Sequence, residues 1–244
     1  MLSIEQLSTN TSQGDIRALA RAITLVENEV PGYKSILQNL QNHQSPIIGF
    51  TGPPGAGKST LINELITHLT KEKNKRIAVV AVDPTSPIHF GSILGDRIRM
   101  IEHHDNPNVY IRSLATRGSL GGLSVKTLEI TDVLRHANFD YIFIETVGVG
   151  QSEVEIAGLA DCTVVLLVPE SGDEVQAIKA GLMEIADIFI VNKADRPDSQ
   201  QFIRNLKAIC SEKHSEWTTQ VVPAVATKKE GIEESWTAIQ TYLK

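Results

Sequence analysis

One short stretch matches the pattern Gly-x4-Gly-Lys-Ser/Thr in full, and it reads Gly52-Pro53-Pro54-Gly55-Ala56-Gly57-Lys58-Ser59. An apolar run (47–50) precedes it and a helical pattern follows from Thr60, which is the context that a phosphate-binding loop requires. Glycines let backbone N–H groups close around phosphate oxygens, and the N-terminus of the following helix adds a favourable dipole. We therefore expect this stretch to hold the phosphates of a nucleotide, with Lys58 on the β- and γ-phosphates and the Ser59 hydroxyl on Mg²⁺.

A second stretch, Asn192-Lys193-Ala194-Asp195, follows the apolar run 188–191. A carboxylate at Asp195 can accept hydrogen bonds from N1–H and the exocyclic amine of guanine, whereas adenine would present an acceptor there. Selectivity that depends on unpaired polar groups can be large. The stretch stands at the carboxyl end of a predicted strand, downstream of a phosphate loop, where nucleotides bind in such folds. Asn192, Lys193 and Asp195 are therefore predicted to bind a guanine nucleotide.

Acidic residues at the ends of predicted strands are candidates for holding a metal ion. Glu145 lies one residue before the end of the predicted strand 140–146, and such a carboxylate suits a hold on Mg²⁺ through water. Gly148 follows, and it can bring its backbone N–H close to a γ-phosphate because it has no side chain. Asp83 ends the second predicted strand, and Asp96 lies in a Gly-Asp-Arg stretch. Both aspartates also suit an ordinary turn.

The histidines and cysteines give no metal site by sequence reasoning. His103-His104-Asp105 contains adjacent side chains, which cannot face one point on a helix, so solvated surface is predicted for them. Cys162 and Cys210 have no second Cys or His at zinc-like spacing.

Short apolar strands alternating with helices predict a doubly wound α/β domain with a mostly parallel sheet. Several strands are continuous Val/Ile runs, as expected where helices cover both faces. The predicted strands are 46–51, 76–83, 109–114, 140–146, 163–169, 187–192 and 220–224, and helices include 59–70, 174–186 and 232–242. Residues 1–44 are predicted to form a helical N-terminal extension, with helices from 16 and over 33–40. Residues 45–244 are then the phosphate-loop domain.

Composition excludes several classes of protein. The chain has 244 residues, 41% hydrophobic and 21% charged, which is the balance of a globular protein. A net charge of −6 argues against a protein that coats nucleic acid or adsorbs to membranes. The two cysteines fit a reducing compartment, and neither a secretory signal nor an apolar run of membrane-spanning length is visible. A cytoplasmic location is expected, with no nucleic-acid or membrane partner.

Taken together, these segments resemble the methylmalonyl-CoA mutase-associated GTPases, the MeaB/ArgK family that includes the human methylmalonic-aciduria type A protein. The resemblance covers essentially the whole chain. The runs Glu-Thr-Val-Gly-Val-Gly-Gln-Ser-Glu (145–153) and Thr-Arg-Gly-Ser-Leu-Gly-Gly (116–122) are far more specific than a phosphate loop alone. The other matching stretches are 51–60, 81–87, 91–97 and 172–179.

The resemblance implies a Mg²⁺-dependent, slow GTPase that acts as a G-protein chaperone for an adenosylcobalamin-dependent acyl-CoA mutase. Such a protein gates cofactor loading and protects or reactivates the mutase. The partner implied is the mutase, and a contact with the mutase's adenosyltransferase is left open. Family chains usually continue past a final helix into a helical dimerisation arm. This sequence ends at Lys244, so the arm is expected to be absent and self-association is left open.

Site residues carry over by position. The resemblance implies a Mg²⁺ environment of Ser59, Asp83, Asp96 and Glu145, and a second guanine loop of Val225, Ala226 and Thr227, in which Val225 replaces the usual Ser and the Ala226 N–H serves the base oxygen. Gly148 belongs to the second switch, and residues 172–179 form a third mobile loop whose Lys179 approaches the phosphates. Lys58, Glu145, Gly148 and Lys179 are the catalytic candidates. His89-Phe90 departs from the small residues usual in the first switch.

Three other functions also use a phosphate-binding loop. A metal-insertion GTPase for nickel enzymes needs Cys or His ligands near the switches, whereas Cys162 lies inside a predicted strand. A transport ATPase or protein kinase is disfavoured by the guanine motif and by the lack of a His-Arg-Asp catalytic loop. A module that holds GTP as a fixed ligand stays open, because Val149 stands where a water-orienting glutamine often sits. For the same reason intrinsic hydrolysis should be slow.

Overall fold

A seven-stranded parallel sheet organises the chain. The computed structural model describes residues 3–40, 45–83, 100–103, 105–115, 125–146, 152–169, 181–211 and 217–244. Its strands are β1 (Ile47–Thr51), β2 (Ile77–Asp83), β3 (Val109–Ala115), β4 (Tyr141–Thr146), β5 (Cys162–Leu167), β6 (Ile188–Val191) and β7 (Gln220–Pro223). They lie in the order β3-β2-β4-β1-β5-β6-β7, which confirms the predicted doubly wound α/β class.

The strand order places the phosphate-loop strand in the centre of the sheet. β1 lies between β4 and β5, with Phe50 opposite Glu145 and Thr51 opposite Val165. Connections leave β1 and β4 in opposite directions across the sheet, and ligands of open α/β sheets bind at the carboxyl ends of strands near such a point. Glu145 is therefore brought next to the entry of the phosphate loop by strand register alone.

Helices cover both faces of this sheet. Within the described ranges they are α1 (Ile4–Ser12), α2 (Ile16–Glu27), α3 (Tyr33–Gln38), α4 (Lys58–Glu72), α5 (Val125–Arg135), α6 (Ser152–Leu159), α7 (Leu182–Ile185), α8 (Ser199–Ser211) and α9 (Ile232–Tyr242). Asp15 caps α2 by accepting from the N–H groups of Arg17 and Ala18, as expected for a helix that starts there. Of the helix predicted over 174–186, the structure describes only α7, because 170–180 lie outside the described residues.

Alternate residues of the central strands face two separate apolar clusters. Val79 and Phe143 pack with α4 and α9, while Val80 and Ile142 pack with α1, α2, α3, α5 and α6. This alternation is the period-two geometry of a strand. The N-terminal helices are thus built into the face of the sheet, and Arg76 adds a hydrogen bond of 3.2 Å to the Gly14 carbonyl between α1 and α2.

Candidate phosphate and guanine site

The phosphate loop is pressed between β5 and the residues after β6, and two glycines make this possible. Gly52 has φ 133°, and a Cβ there would lie 2.1 Å from the Leu166 carbonyl oxygen. Gly57, with φ 88°, precedes the first turn of α4, and its Cβ would lie 2.4 Å from Asn192 Nδ2. A side chain would clash at either position, so the close packing of this loop requires glycine.

Lys58 is buried at the start of α4, and its ammonium lies over the loop. Nζ donates to the carbonyl oxygens of Gly52 at 2.7 Å and Pro53 at 3.1 Å. The positive charge is therefore held inside the loop, next to the N-terminal end of the α4 dipole. Both features favour an anion at this place, as the sequence motif predicts.

Ser59 and Glu145 meet across the central strands. The Ser59 hydroxyl donates to Glu145 Oε1 at 2.7 Å, and both side chains are buried. A hydroxyl and a carboxylate are oxygen ligands of the kind that Mg²⁺ prefers, so the residues present fit the ion that the family implies. Behind them, Thr146 Oγ1 donates to Thr51 Oγ1 at 2.9 Å and fastens the end of β4 to the end of β1.

The structure places only part of the other predicted site residues. Asp83 ends β2 and follows Val82, which pairs with Thr146, so its backbone lies at the same edge of the sheet as Glu145. Nothing is described of its side chain. Other residues singled out from the sequence lie outside the described ranges, namely Asp96, Gly148, Lys179, His89-Phe90 and Val149. Within those that are described, no group of three or more His, Cys, Asp or Glu side chains could hold a metal ion.

Asn192 is the link between the two parts of the site. Its amide donates to the Ala56 carbonyl at 2.8 Å, and its Oδ1 accepts from the Ala226 N–H at 3.1 Å. Lys193, with φ 57°, donates from Nζ to the Gly55 carbonyl at 2.8 Å. The first guanine motif thus braces the phosphate loop as well as leading to Asp195.

The second guanine loop is a closed turn. Val225 and Glu230 exchange two backbone hydrogen bonds, of 3.0 and 3.3 Å, around a short 3-10 helix (Ala226–Lys228). Sequence reasoning assigned the Ala226 N–H to the base oxygen, whereas in this structure it donates to Asn192. Thr227 is exposed beside it. In the described structure Ala226 therefore supports Asn192, and a contact of the Ala226 N–H with the base oxygen stays a prediction.

Asp195 forms an ion pair that the sequence reasoning missed. Its Oδ2 lies 2.8 Å from Lys228 Nζ, and the hydrogen bond from Lys228 lowers the pKa of the Asp195 carboxyl below its ordinary value. A cavity of about 350 Å³ lies beside Asp195, bounded also by Val225 and Gly231. The sequence does show a basic residue directly after the second guanine loop. That residue can be paired with Asp195 only once β6 and β7 are known to be neighbouring strands.

His103 corrects one prediction. Sequence reasoning placed it on solvated surface, but it is buried against α4, with Nε2 3.2 Å from the Asn63 carbonyl oxygen. Burial lowers the pKa of His103 below its ordinary value. The physical reason is that His103 lies in a 3-10 turn (Ile101–His103) after the buried Met100, and this turn packs one of its sides on α4. His104 lies outside the described residues.

Several curated proteins are similar to this chain over most of its length. A Pyrococcus abyssi protein whose name assigns it to the GTPases is 49% identical over 98% of this chain and 76% of its own length. The GTPase ArgK of Escherichia coli is 38% identical over 93% of this chain and 72% of its own. The mitochondrial methylmalonic aciduria type A homolog of Mus musculus is 37% identical over 98% and 63%, respectively.

Solved structures agree on the fold. A structure titled LAO/AO transport system kinase superposes with a TM-score of 0.80 and 28% identity, over 99% of this chain and 76% of that one. HypB from Helicobacter pylori, solved with nickel, superposes with a TM-score of 0.58 over 93% of this chain and 97% of its own, but at 16% identity it shares the fold alone.

Among the described helices, none is long and apolar enough to cross a membrane.

The relatives from Pyrococcus abyssi and Escherichia coli are GTPases by name and the fold is that of the phosphate-loop GTPases, so the chain is a GTPase. The family profile described as methylmalonyl-CoA mutase-associated GTPase MeaB matches residues 19–244, which is most of the chain. The chain therefore belongs to the MeaB family of GTPases.

Proposed function

We propose that this GTPase is a Mg²⁺-dependent chaperone of an adenosylcobalamin-dependent acyl-CoA mutase, which gates cofactor loading and protects or reactivates the mutase. Family membership supports the choice of partner. The single observation that carries the nucleotide part is the brace at Asn192, which fastens the phosphate loop to the second guanine loop. A protein built in this way senses phosphates and base as one ligand.

The phosphate end is assigned by the groups that line the loop. The ammonium of Lys58 and the backbone N–H groups of the loop bind phosphate oxygens, and the α4 dipole assists them. Ser59 and Glu145 would hold Mg²⁺, with Asp83 and Asp96 as further members of its environment. When bound, Mg²⁺ neutralises charge that develops on the transferred phosphoryl group.

The base end is assigned to Asp195. Its ionised carboxylate only accepts hydrogen bonds, so it matches the two donors on the guanine edge and opposes the acceptor N1 of adenine. Asn192 and Lys193 keep the loop that carries Asp195 in place against Ala56 and Gly55. This arrangement supports selection of GTP over ATP.

Turnover is proposed to depend on the partner. Gly148 and Lys179 are the proposed sensors of the γ-phosphate, and Val149 has no side-chain amide with which to orient the attacking water. Since positioning supplies much of the catalysis of phosphoryl transfer, hydrolysis by the chain alone should be slow. The mutase is then the component that completes the site.

A binding experiment tests this function. The affinity of a cobalamin-dependent acyl-CoA mutase for this chain is measured by calorimetry with GDP, with a non-hydrolysable GTP analogue and without nucleotide. We expect affinities that differ by at least about tenfold between nucleotide states, which is a typical coupling between two ligands. Lys58→Ala is the control and should bind the mutase equally in all three conditions. Absence of binding, or equal binding by the wild type, would contradict the proposal.

A further inference from the structure

The Lys228–Asp195 ion pair joins the residues after β6 to those after β7. Its two atoms lie 2.8 Å apart, and the side chains of Lys228 and Asp195 are 54% and 40% exposed. An exposed ion pair contributes little to folding stability. Its position on the carboxylate assigned to the base therefore points to a role in nucleotide recognition.

The backbone on both sides of the pair is fixed independently. The Ala194 N–H donates to the Ala224 carbonyl at 3.0 Å, which sets the two loops side by side. The Lys228 N–H donates to the Val225 carbonyl at 2.8 Å within the closed turn. The distance that the lysine side chain must span is thus set before a ligand arrives, and only the side chains of the pair are free to adjust.

A carboxylate can serve the ammonium and the base at the same time. Its two oxygens offer about four lone-pair directions. The two guanine donors need one on each oxygen, and the ammonium of Lys228 takes one of those on Oδ2. The same hydrogen bond lowers the pKa of Asp195, and so favours the form that only accepts.

We infer, on the basis of the proposed guanine site, that Lys228 is a specificity-determining residue that holds the Asp195 carboxylate in the orientation accepting both guanine donors. Ordering a side chain before binding removes part of the entropy cost of association. The benefit is confined to a base that uses both oxygens. Lys228 should therefore favour guanine over hypoxanthine, which lacks the exocyclic amine.

The test compares two neighbouring lysines. Lys229 lies 3.5 Å from Glu64 on α4 and does not pair with Asp195, so Lys229→Met is a matched control for Lys228→Met. Affinities for GDP and inosine diphosphate are measured by calorimetry. Lys228→Met should weaken GDP by about three- to tenfold and inosine diphosphate by about twofold or less, given the cost of ordering one side chain. Lys229→Met should keep the wild-type ratio, and Lys228→Arg should restore most of it.

Other results would overturn the inference. An equal loss for both nucleotides would mean that Lys228 only attracts phosphates, and an unchanged or raised GDP affinity would mean that it is irrelevant to the base or competes with it. The proposed guanine site is tested separately by ADP. If the wild type and Asp195→Asn each bind ADP with the same affinity as GDP, the assignment of Asp195 to the guanine base is wrong. If the wild type prefers GDP over ADP while Lys228→Met keeps the GDP-to-inosine ratio, only the role of Lys228 fails.

Discussion

At the scale of single residues, Lys58 has a part in the fold as well as in the proposed site. Its ammonium donates to two loop carbonyls, so Lys58→Ala should cost about 1 kcal/mol of the free energy of unfolding through those hydrogen bonds. Nucleotide binding or turnover should be nearly abolished, because the ammonium that would bind the phosphate oxygens is removed. Circular dichroism and GTP hydrolysis measure the two effects. Lys71→Ala, at the exposed end of α4, is the control, and retained hydrolysis in Lys58→Ala would contradict the assignment.

Asp195 makes a prediction about the base. Asp195→Asn replaces one acceptor oxygen by an amide donor, which faces a guanine donor but matches the carbonyl of xanthine. GTP affinity should fall by about 30- to 1,000-fold while xanthosine triphosphate gains, as expected when a donor pair loses its acceptor. Competition titrations measure both. Equal affinity of the wild-type chain for ATP and GTP would exclude Asp195 as the selecting group.

At the scale of elements, the sequence predicts those features that are encoded by residues close together in the chain. The phosphate loop and its helix are encoded within one stretch, so the loop and the start of α4 were predicted almost to the residue. The amide of Asn192 was recognised as part of a nucleotide motif. Its contacts with Ala56 and Ala226 were not foreseen, because they depend on strands distant in sequence lying side by side. Lys228 and the burial of His103 were missed for the same reason.

The turn at His103 gives a pH prediction for its element. In the folded chain burial holds the pKa of His103 below its ordinary value of about 6.5, while the unfolded chain titrates normally. Below that pH the unfolded state takes up a proton that the folded state resists. His103 therefore lowers stability as the pH falls through this window and has no such effect above it.

The measurement is the free energy of urea unfolding at pH 7.5 and 5.5. The decrease on acidification should be smaller in His103→Gln than in the wild type, since glutamine does not titrate. Glu64, Glu102 and Lys71 also act on His103, and they are unchanged in the comparison. His136→Gln, in the turn just after α5, is the control. The same decrease in His103→Gln as in the wild type would refute the prediction.

At the scale of the whole molecule, the N-terminal helices and the sheet share one apolar cluster. The sequence correctly predicted helices in this part and a parallel sheet after it. The boundary that the sequence predicts after residue 44, between a helical extension and the phosphate-loop domain, stays a prediction. Sequence patterns identify which residues are apolar, but they do not say which faces meet. The packing of Ile23 with Val80 and Ile142 in one cluster is visible only in three dimensions.

This shared cluster predicts cooperative unfolding. Ile23 is fully buried, so Ile23→Ala should lower the free energy of unfolding by about 2–4 kcal/mol, as for other buried isoleucines. Ile16→Ala, at a position 36% exposed on the same helix, is the control and should cost far less. Far-UV circular dichroism and tryptophan fluorescence follow the transition, with Trp236 reporting from the opposite face of the sheet. Coincident curves support one unit, whereas a separate first transition in circular dichroism would contradict it.

The coupling of GTP hydrolysis to a mutase tests the account most directly. Single-turnover hydrolysis is measured with GTP and with ATP, each with and without an adenosylcobalamin-dependent acyl-CoA mutase. We expect slow hydrolysis of GTP by the chain alone. The hydrolysis rate should rise by at least about tenfold when the mutase positions the groups around the γ-phosphate. ATP should show neither. A GTP rate that the mutase leaves unchanged, or an ATP rate equal to that of GTP, would contradict the account.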